Sequence, residues 1–214
     1  MKSKAAFKAL SPALLAQVNQ AVDVLRGGGV VAYPTDTVYG LGADIYNDEA
    51  VARVYRIKQR PFNQALPVLI SEIGQAYMLT DSQSKAARLL MKRYWPGGLT
   101  IIFNKNPEFN SLLLAGGDKI GIRMPGHDVV RAMIMELGRP IVGTSANLHD
   151  KPSTLTAADV NAQLDGLVDY ILDGGACPGG VESTVIDVTV EPPAIVRKGI
   201  MKEKEILALI KRGY

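Results

Sequence analysis

Hydrophobic positions recur along the chain at two spacings, one typical of helices and the other of buried strands. Over residues 12–26 the apolar residues return every three or four positions, which predicts a helix with one buried face. Ser11 and the proline after it favour a helix start, and a run of glycines ends the helix. A second helix is predicted from an Asn47 cap to about Gln59, because Pro61 disfavours helical geometry in the residue before it.

Short apolar runs between the helical segments predict buried strands. These runs are VVAY, PVLI, LTIIF, IGIR, PIVG, VDYIL, STVIDV and AIVR. Four more helices are predicted, from Asp81 to about Tyr94, from 128 to a stop at Gly138, over 156–164 and over 202–212. Helices and strands therefore alternate along most of the chain.

Two pairs of consecutive strands have no helix between them, 99–103 with 120–123 and 183–188 with 194–197. Such neighbours are expected to be antiparallel, so the sheet should be mixed. The fold class is therefore α/β with α+β character. Because no repeat or linker interrupts the pattern, we expect a single domain over residues 1–214.

Composition narrows the class of protein without fixing its function. The chain has 214 residues, 47% of them hydrophobic, and a net charge of +3, which permits a sizeable core and an anionic ligand. No apolar run approaches the length of a membrane span, and the N-terminus lacks the order of a signal peptide. The single cysteine, Cys177, fits a reducing cytoplasm. We therefore expect a cytoplasmic protein with no membrane partner.

Polar clusters occur at the ends of strands, in PTDTVYG, TSAN and VESTV. Hydroxyls and backbone N–H groups near cations suit a ligand with phosphate and carboxylate groups. Arg123 lies in an apolar strand, so its charge needs a buried partner or a ligand. Two alternatives without a ligand stay open. Lys58 and Arg60 could do no more than complement the dipole of a helix at its exposed end. TSAN could be a simple turn.

The residues give little support for metal or covalent chemistry. Neither His127 nor His149 has a carboxylate or cysteine at zinc spacing, so no metal site made by the protein is expected. Cys177 lacks an adjacent histidine or acid, and no Ser-His-Asp arrangement has local support, so we expect no covalent nucleophile. The residues alone indicate an α/β enzyme that binds an anion.

Seven motifs extend this interpretation when they are taken in series. They are GGVVAYPTDTVYGLGADIYN, RIKQRPFNQAL, YWPGGLTIIF, IGIRMPGH, VGTSANLHDKPS, GGVESTVIDVT and IVRKGI. In order and spacing they resemble the YrdC-like threonylcarbamoyl-AMP synthase family, in its single-domain TsaC form, over about residues 15–202. The resemblance implies a twisted mixed sheet with helices on both faces and a positively lined cavity. It also implies the conversion of L-threonine, bicarbonate or CO2, and ATP into threonylcarbamoyl-AMP and pyrophosphate, for modification of tRNA.

The resemblance also implies a role for individual residues. Threonine would be bound by Thr35, Arg123, Gly143 and Ser183. ATP would be bound by Lys58, Arg60, Ser145, Asn147, Ser153 and Arg197. The glycines of YGLG would let the backbone approach the ligand. Mg²⁺ would arrive with ATP, and other proteins would transfer the threonylcarbamoyl group to an adenosine of tRNA.

The chain departs from the family pattern mainly between residues 63 and 69. Gln64 and Ala65 replace the usual Asn or Lys and Pro, and Leu69 replaces a histidine found in many relatives. Longer relatives add a C-terminal domain, for which we expect no room before Tyr214. Two other functions stay open, a module of this fold that binds tRNA or double-stranded RNA without catalysis, and a YciO-like enzyme with another substrate.

Overall fold

The computed structural model describes residues 10–81 and 83–213. Its helices are α1 (Pro12–Arg26), α2 (Asp48–Lys58), α3 (Ile73–Leu79), α4 (Lys85–Tyr94), α5 (Asp128–Leu137), α6 (Ala157–Leu164) and α7 (Glu203–Gly213). Its strands are β1 (Val31–Tyr33), β2 (Gly40–Gly42), β3 (Val68–Leu69), β4 (Leu99–Asn104), β5 (Lys119–Arg123), β6 (Ile141–Val142), β7 (Thr144–Ser145), β8 (Tyr170–Ile171), β9 (Thr184–Asp187) and β10 (Ala194–Arg197). A short 3-10 helix spans Leu112–Leu114.

The strands form two mixed sheets, where the sequence had predicted one. The first has the order β7-β2-β1-β8 and the second the order β10-β9-β4-β5-β3-β6. Strand β4 is antiparallel to β5, and β10 is antiparallel to β9, which confirms both predicted pairs. Strands β1 and β8, β3 and β5, and β4 and β9 are parallel. The mixed α/β class is therefore confirmed, but the number of sheets is corrected.

Helix ends follow the predicted caps in most places. The Ser11 hydroxyl accepts a hydrogen bond from the Leu14 N–H, and the Asn47 side chain accepts one from the Ala50 N–H. Helix α5 ends at Gly138, whose φ of 75° is a left-handed value that glycine adopts without strain. Local sequence therefore sets these boundaries.

The helix start predicted at Asp81 is wrong. Helix α4 begins at Lys85, and the Ser84 hydroxyl caps it by accepting a hydrogen bond from the Ala87 N–H. Asp81 instead donates its N–H to the Asn104 carbonyl, beside a bridge between Thr80 and residue 105. This pairing with the end of β4 holds the chain extended, so the helix cannot start there. Helix α3 and strands β2 and β7 were not predicted from the sequence.

Two hydrophobic clusters cover the two faces of the smaller sheet. Val31 and Tyr33 of β1 pack with buried residues of α1 and α5, whereas Ala32 between them belongs to the larger cluster on the other face. The alternation follows from the two-residue period of a strand. The larger cluster also contains the core residues of β4, β5 and α4. Between these buried layers, loops at the strand ends converge on one cavity.

Candidate functional site

A cavity of about 310 Å³ brings together nearly all of the residues proposed from the sequence. Nine of them line it: Thr35, Lys58, Arg60, Arg123, Gly143, Ser145, Asn147, Ser183 and Arg197. Ser153 does not line the cavity, but its hydroxyl donates to a carboxylate oxygen of Glu182, which does (3.2 Å). These nine residues come from six separate segments of the chain, and four of them, Lys58, Arg60, Arg123 and Arg197, carry a positive side chain.

Arg123, at the end of β5, is 6% exposed and is paired within the chain. Its Nη2 forms an ion pair with the Asp36 carboxylate. Its Nη1 donates to the Thr37 hydroxyl and its Nε to the Gly97 carbonyl, each at 2.9 Å. The partner that this charge requires is therefore Asp36, which is itself partly buried. Burial lowers the pKa of Arg123, and the charge of Asp36 opposes that shift.

Lys58 is buried, which corrects the prediction of an exposed position at the end of α2. The side chain is 3% exposed, and its Nζ donates to the Ser145 carbonyl at 2.6 Å. It also donates to the Asn147 backbone carbonyl at 2.8 Å and to the Asn147 side-chain oxygen at 3.1 Å. Three acceptors match the three N–H groups of an ammonium. Burial, together with the nearby charge of Arg60, lowers the pKa of Lys58 to about 8.

Arg60 contacts the segment between residues 63 and 69, in which the chain departs from the pattern of the family that it resembles. Its Nε donates to the Gln64 carbonyl at 3.3 Å, and its Nη2 donates to the Ala65 carbonyl at 3.2 Å. The residue lies just past the C-terminus of α2, where Gln59 adopts a left-handed φ of 53°. Burial lowers the pKa of Arg60. Arg60 is thus half-buried and faces the cavity, whereas Lys58 is tied to the loop around residue 147.

Arg197 and Glu182 form an ion pair on the cavity wall. The Nη1 of Arg197 lies 2.6 Å from a Glu182 carboxylate oxygen. The Nη2 of Arg197 donates to the Ser183 carbonyl and to the Ser183 hydroxyl, both at 3.0 Å. That hydroxyl also lies 2.8 Å from the Thr100 hydroxyl. In this structure Glu182 therefore partly neutralises the cationic wall.

The glycines of the YGLG segment lie against the ring of Tyr33. A Cβ atom on Gly40 would lie 2.4 Å from the Tyr33 ring, and one on Gly42 would lie 2.8 Å from it. These glycines therefore make room for an aromatic side chain of β1, although Gly40 also lines the cavity. Gly143 is also a position without room for a side chain, because a Cβ atom there would lie 2.5 Å from Cγ of Leu69. The Gly143 N–H donates to the Pro67 carbonyl.

Among the residues that were not predicted from the sequence, Asp36, Thr37, Thr100 and Glu182 make hydrogen bonds or ion pairs with the predicted ones. Asp36 and Thr37 stand inside the PTDT motif, and Glu182 directly precedes Ser183 in VEST. Their neighbours in those motifs were the available signal. Thr100 had no signal, because it reads as one residue of an apolar strand and reaches the cavity only through the pairing of β4 with β9.

Residues 10–81 and 83–213 contain no group of three histidine, cysteine, aspartate or glutamate side chains placed to hold a metal ion. Over the same ranges, no helix has the length and apolar character needed to cross a membrane.

Comparisons with known proteins agree with the motif series. The profile of the Sua5/YciO/YrdC family, described as Telomere recombination, matches residues 23–199. The threonylcarbamoyl-AMP synthase of Bacillus subtilis is 43% identical over 195 residues, which cover 91% of this chain and 56% of that protein. The crystal structure of P. abyssi Sua5 complexed with L-threonine has a TM-score of 0.88 and 38% identity, covering 90% of this chain and 57% of that one. E. coli YciO has a TM-score of 0.80 and 31% identity, covering 88% and 92% respectively.

The chain spans about half the length of the curated relatives it matches. The family profile nevertheless covers most of this chain, including every residue of the cavity. The resemblance inferred from the seven motifs is thereby confirmed. The chain belongs to the Sua5/YciO/YrdC family.

Proposed function

We propose that this chain is the catalytic unit of an L-threonylcarbamoyladenylate synthase, a nucleotidyltransferase. It would convert L-threonine, bicarbonate or CO2, and ATP into threonylcarbamoyl-AMP and pyrophosphate. The observation that carries the proposal is the meeting, in one cavity, of buried Arg123 with three further cationic side chains, Lys58, Arg60 and Arg197. The 43% identity to the synthase of Bacillus subtilis supports this choice of reaction.

Arg123 is the residue best suited to bind the carboxylate of threonine. A guanidinium has five N–H groups, and Arg123 uses three of them within the described part of the chain. Two remain, the number that a bidentate carboxylate accepts. Ser183 and Gly143 line the same cavity and would complete the threonine site, with Thr35 beside them on the cavity wall. That P. abyssi Sua5 was crystallised with L-threonine supports this assignment.

The other cations are suited to the phosphates of ATP. Arg60 and Arg197 point toward the same space as Ser145 and Asn147, and Ser153 would act with them through Glu182. Lys58 would contribute its charge and hold the nucleotide loop in place. Mg²⁺ would enter as part of the ATP substrate and keep several water ligands.

The chemistry then consists of two bond-forming steps. The threonine nitrogen attacks the carbon of CO2 and loses a proton, which gives a carbamate. A carbamate oxygen attacks the α-phosphorus of ATP, and the bond to pyrophosphate breaks. Catalysis would come from positioning and from neutralising charge, as is usual in transfers to phosphorus, with no covalent enzyme intermediate. The product would be used in the cytoplasm by proteins that transfer the threonylcarbamoyl group to tRNA.

The test is to incubate the protein with ATP, Mg²⁺, bicarbonate and one amino acid at a time. We expect pyrophosphate and threonylcarbamoyl-AMP with L-threonine, less product with serine and little with valine. A site that hydrogen-bonds a substrate hydroxyl rejects an analogue without one, because its own polar groups stay unpaired. Omission of bicarbonate is the control. Equal product with valine and threonine would refute the proposal.

A YciO-like enzyme with another substrate is the second candidate. Leu69 keeps this alternative open, because it lines the cavity and belongs to the segment in which the chain departs from the family pattern. The chain also covers 92% of E. coli YciO. Pyrophosphate release with an amino acid other than threonine would support this alternative. An RNA-binding module has less support, because Arg123 is turned inward and paired with Asp36.

A further inference from the structure

The loop between β1 and β2 contains two threonine hydroxyls whose hydrogen bonds have a fixed direction. The Thr35 hydroxyl lies 2.7 Å from the Val38 carbonyl, which can only accept, so Thr35 is the donor. Thr35 also accepts a hydrogen bond from the Thr37 N–H at 3.0 Å. The contact between the two hydroxyls, at 2.9 Å, must then be donated by Thr37.

This order leaves the two threonines with different capacities. A hydroxyl can donate one hydrogen bond and accept two. The Thr35 hydroxyl has used all three within the loop. The Thr37 hydroxyl donates to Thr35 and accepts from Nη1 of Arg123, so it keeps one free lone pair. Thr35 is saturated, whereas Thr37 can accept one hydrogen bond from a ligand in the cavity.

We propose that Thr37 accepts a hydrogen bond from the α-nitrogen of the amino-acid substrate, and that Thr35 is a positioning residue that acts through Thr37. This inference rests on the proposed function, because it assumes that the substrate carboxylate binds Arg123. In an α-amino acid the nitrogen is attached to the carbon next to the carboxylate. Thr37 lies 2.9 Å from Nη1 of Arg123, so a group beside that carboxylate comes within its reach.

The direction of the hydrogen bond from the Thr37 hydroxyl to the Thr35 hydroxyl suits the reaction. The proton of Thr37 points to Thr35, so the cavity meets an acceptor and not a donor at this position. An amino group, an ammonium and a carbamate nitrogen all carry at least one N–H. Thr37 can therefore hold the nitrogen before and after it takes up CO2. Asp36 supports the arrangement by pairing with Arg123 and accepting from the Gly126 N–H at 2.9 Å.

The experiment measures binding by calorimetry in the absence of ATP. The ligands are L-threonine and (R)-3-hydroxybutanoate, which is threonine without its amino group. We expect Thr37→Val to weaken L-threonine binding about tenfold, as for a lost hydrogen bond to a charged group, and (R)-3-hydroxybutanoate binding less than twofold. Thr37→Ser, which keeps the hydroxyl, should retain threonine affinity and serves as the matched control.

A double-mutant cycle tests the role of Thr35. Thr35→Val alone should weaken threonine binding, because the Thr37 hydroxyl loses its acceptor and no longer keeps its proton turned away from the ligand. In the Thr37→Val background it should have no further effect.

Multiplicative losses would show that Thr35 touches the ligand itself and would overturn the inference. Equal losses for both ligands in Thr37→Val would also overturn it, since they would mean that Thr37 only holds Arg123 in place. If the wild-type protein fails to bind L-threonine, the proposed function fails as well.

Discussion

Replacement of Lys58 by methionine should destabilise the protein, although the residue lies at the end of a helix. Methionine has a similar length but no N–H groups, so the variant removes all three hydrogen bonds of the ammonium. The backbone carbonyls of Ser145 and Asn147 would lose this donor inside a site where Lys58 is 3% exposed. A buried acceptor left without a partner costs about 1 to 3 kcal/mol.

The expected loss follows from these contacts. Two backbone carbonyls together cost about 2 to 6 kcal/mol. Part of this is offset, because the variant no longer buries a charge whose desolvation is itself unfavourable. We therefore expect the free energy of unfolding to fall by about 3 kcal/mol, which lowers the melting temperature by roughly 10 °C in a chain of this size.

Equilibrium unfolding in urea measures the effect, with thermal unfolding as a second readout. Arg60→Met is the matched control, because its hydrogen bonds to the Gln64 and Ala65 carbonyls are exposed. The control should lose less than about 1 kcal/mol, because Arg60 is only half-buried and water can replace its exposed hydrogen bonds. If Lys58→Met is no less stable than Arg60→Met, Lys58 does not hold the loop and the reasoning from its three acceptors is refuted.

Three other substitutions probe charges of the fold and the cavity. Arg123→Gln should weaken L-threonine binding about tenfold in calorimetry, as for loss of a bidentate charged contact, while the salt dependence of any RNA binding keeps its slope. Normal threonine affinity with a shallower slope would contradict the carboxylate role. Glu182→Gln should tighten binding of Mg²⁺-free inorganic triphosphate about fivefold, because the phosphates no longer compete with its ion pair to Arg197. Unchanged affinity would show that Glu182 is no competitor. A hydrogen bond from Arg53 lowers the pKa of Asp169, so the stability that this carboxylate adds is present above about pH 4 and is lost as the pH falls through the folded-state pKa. The difference in unfolding free energy between wild type and Asp169→Asn should therefore shrink below pH 4, and a constant difference would contradict this.

Local sequence was sufficient for features that depend on neighbouring residues. The Ser11 and Asn47 caps and the Gly138 stop were predicted correctly, since a cap is a hydrogen bond between residues three or four apart. The pairing of β4 with β5 and of β9 with β10 was also correct, because short connections favour antiparallel neighbours. The order of seven motifs was enough to identify the family.

Short strands and the sheet division were not predictable in this way. Strand β2 reads Gly-Leu-Gly, a sequence with little strand preference, and it forms because β1 and β7 pair with its two edges. The helix predicted at Asp81 failed for the same reason, since a backbone bond to Asn104 outweighs the local signal. Hydrogen bonds between distant segments determine whether such elements form, and the local pattern of hydrophobic residues carries no information about those bonds.

The residues of the site were determined by the sequence, but their contacts were decided by the tertiary structure. The motifs placed Lys58 and Arg123 in a binding site, yet gave no partner for either charge. Asp36 reaches Arg123 across 87 residues of sequence, and the acceptors of Lys58 lie 87 and 89 residues away. A buried charge is stable only where such acceptors converge, and folding alone brings them together. The sequence therefore specified nine of the side chains and backbone positions that line the cavity. The packing of the two sheets added others, such as Thr100, and determined which of them stay available to a ligand.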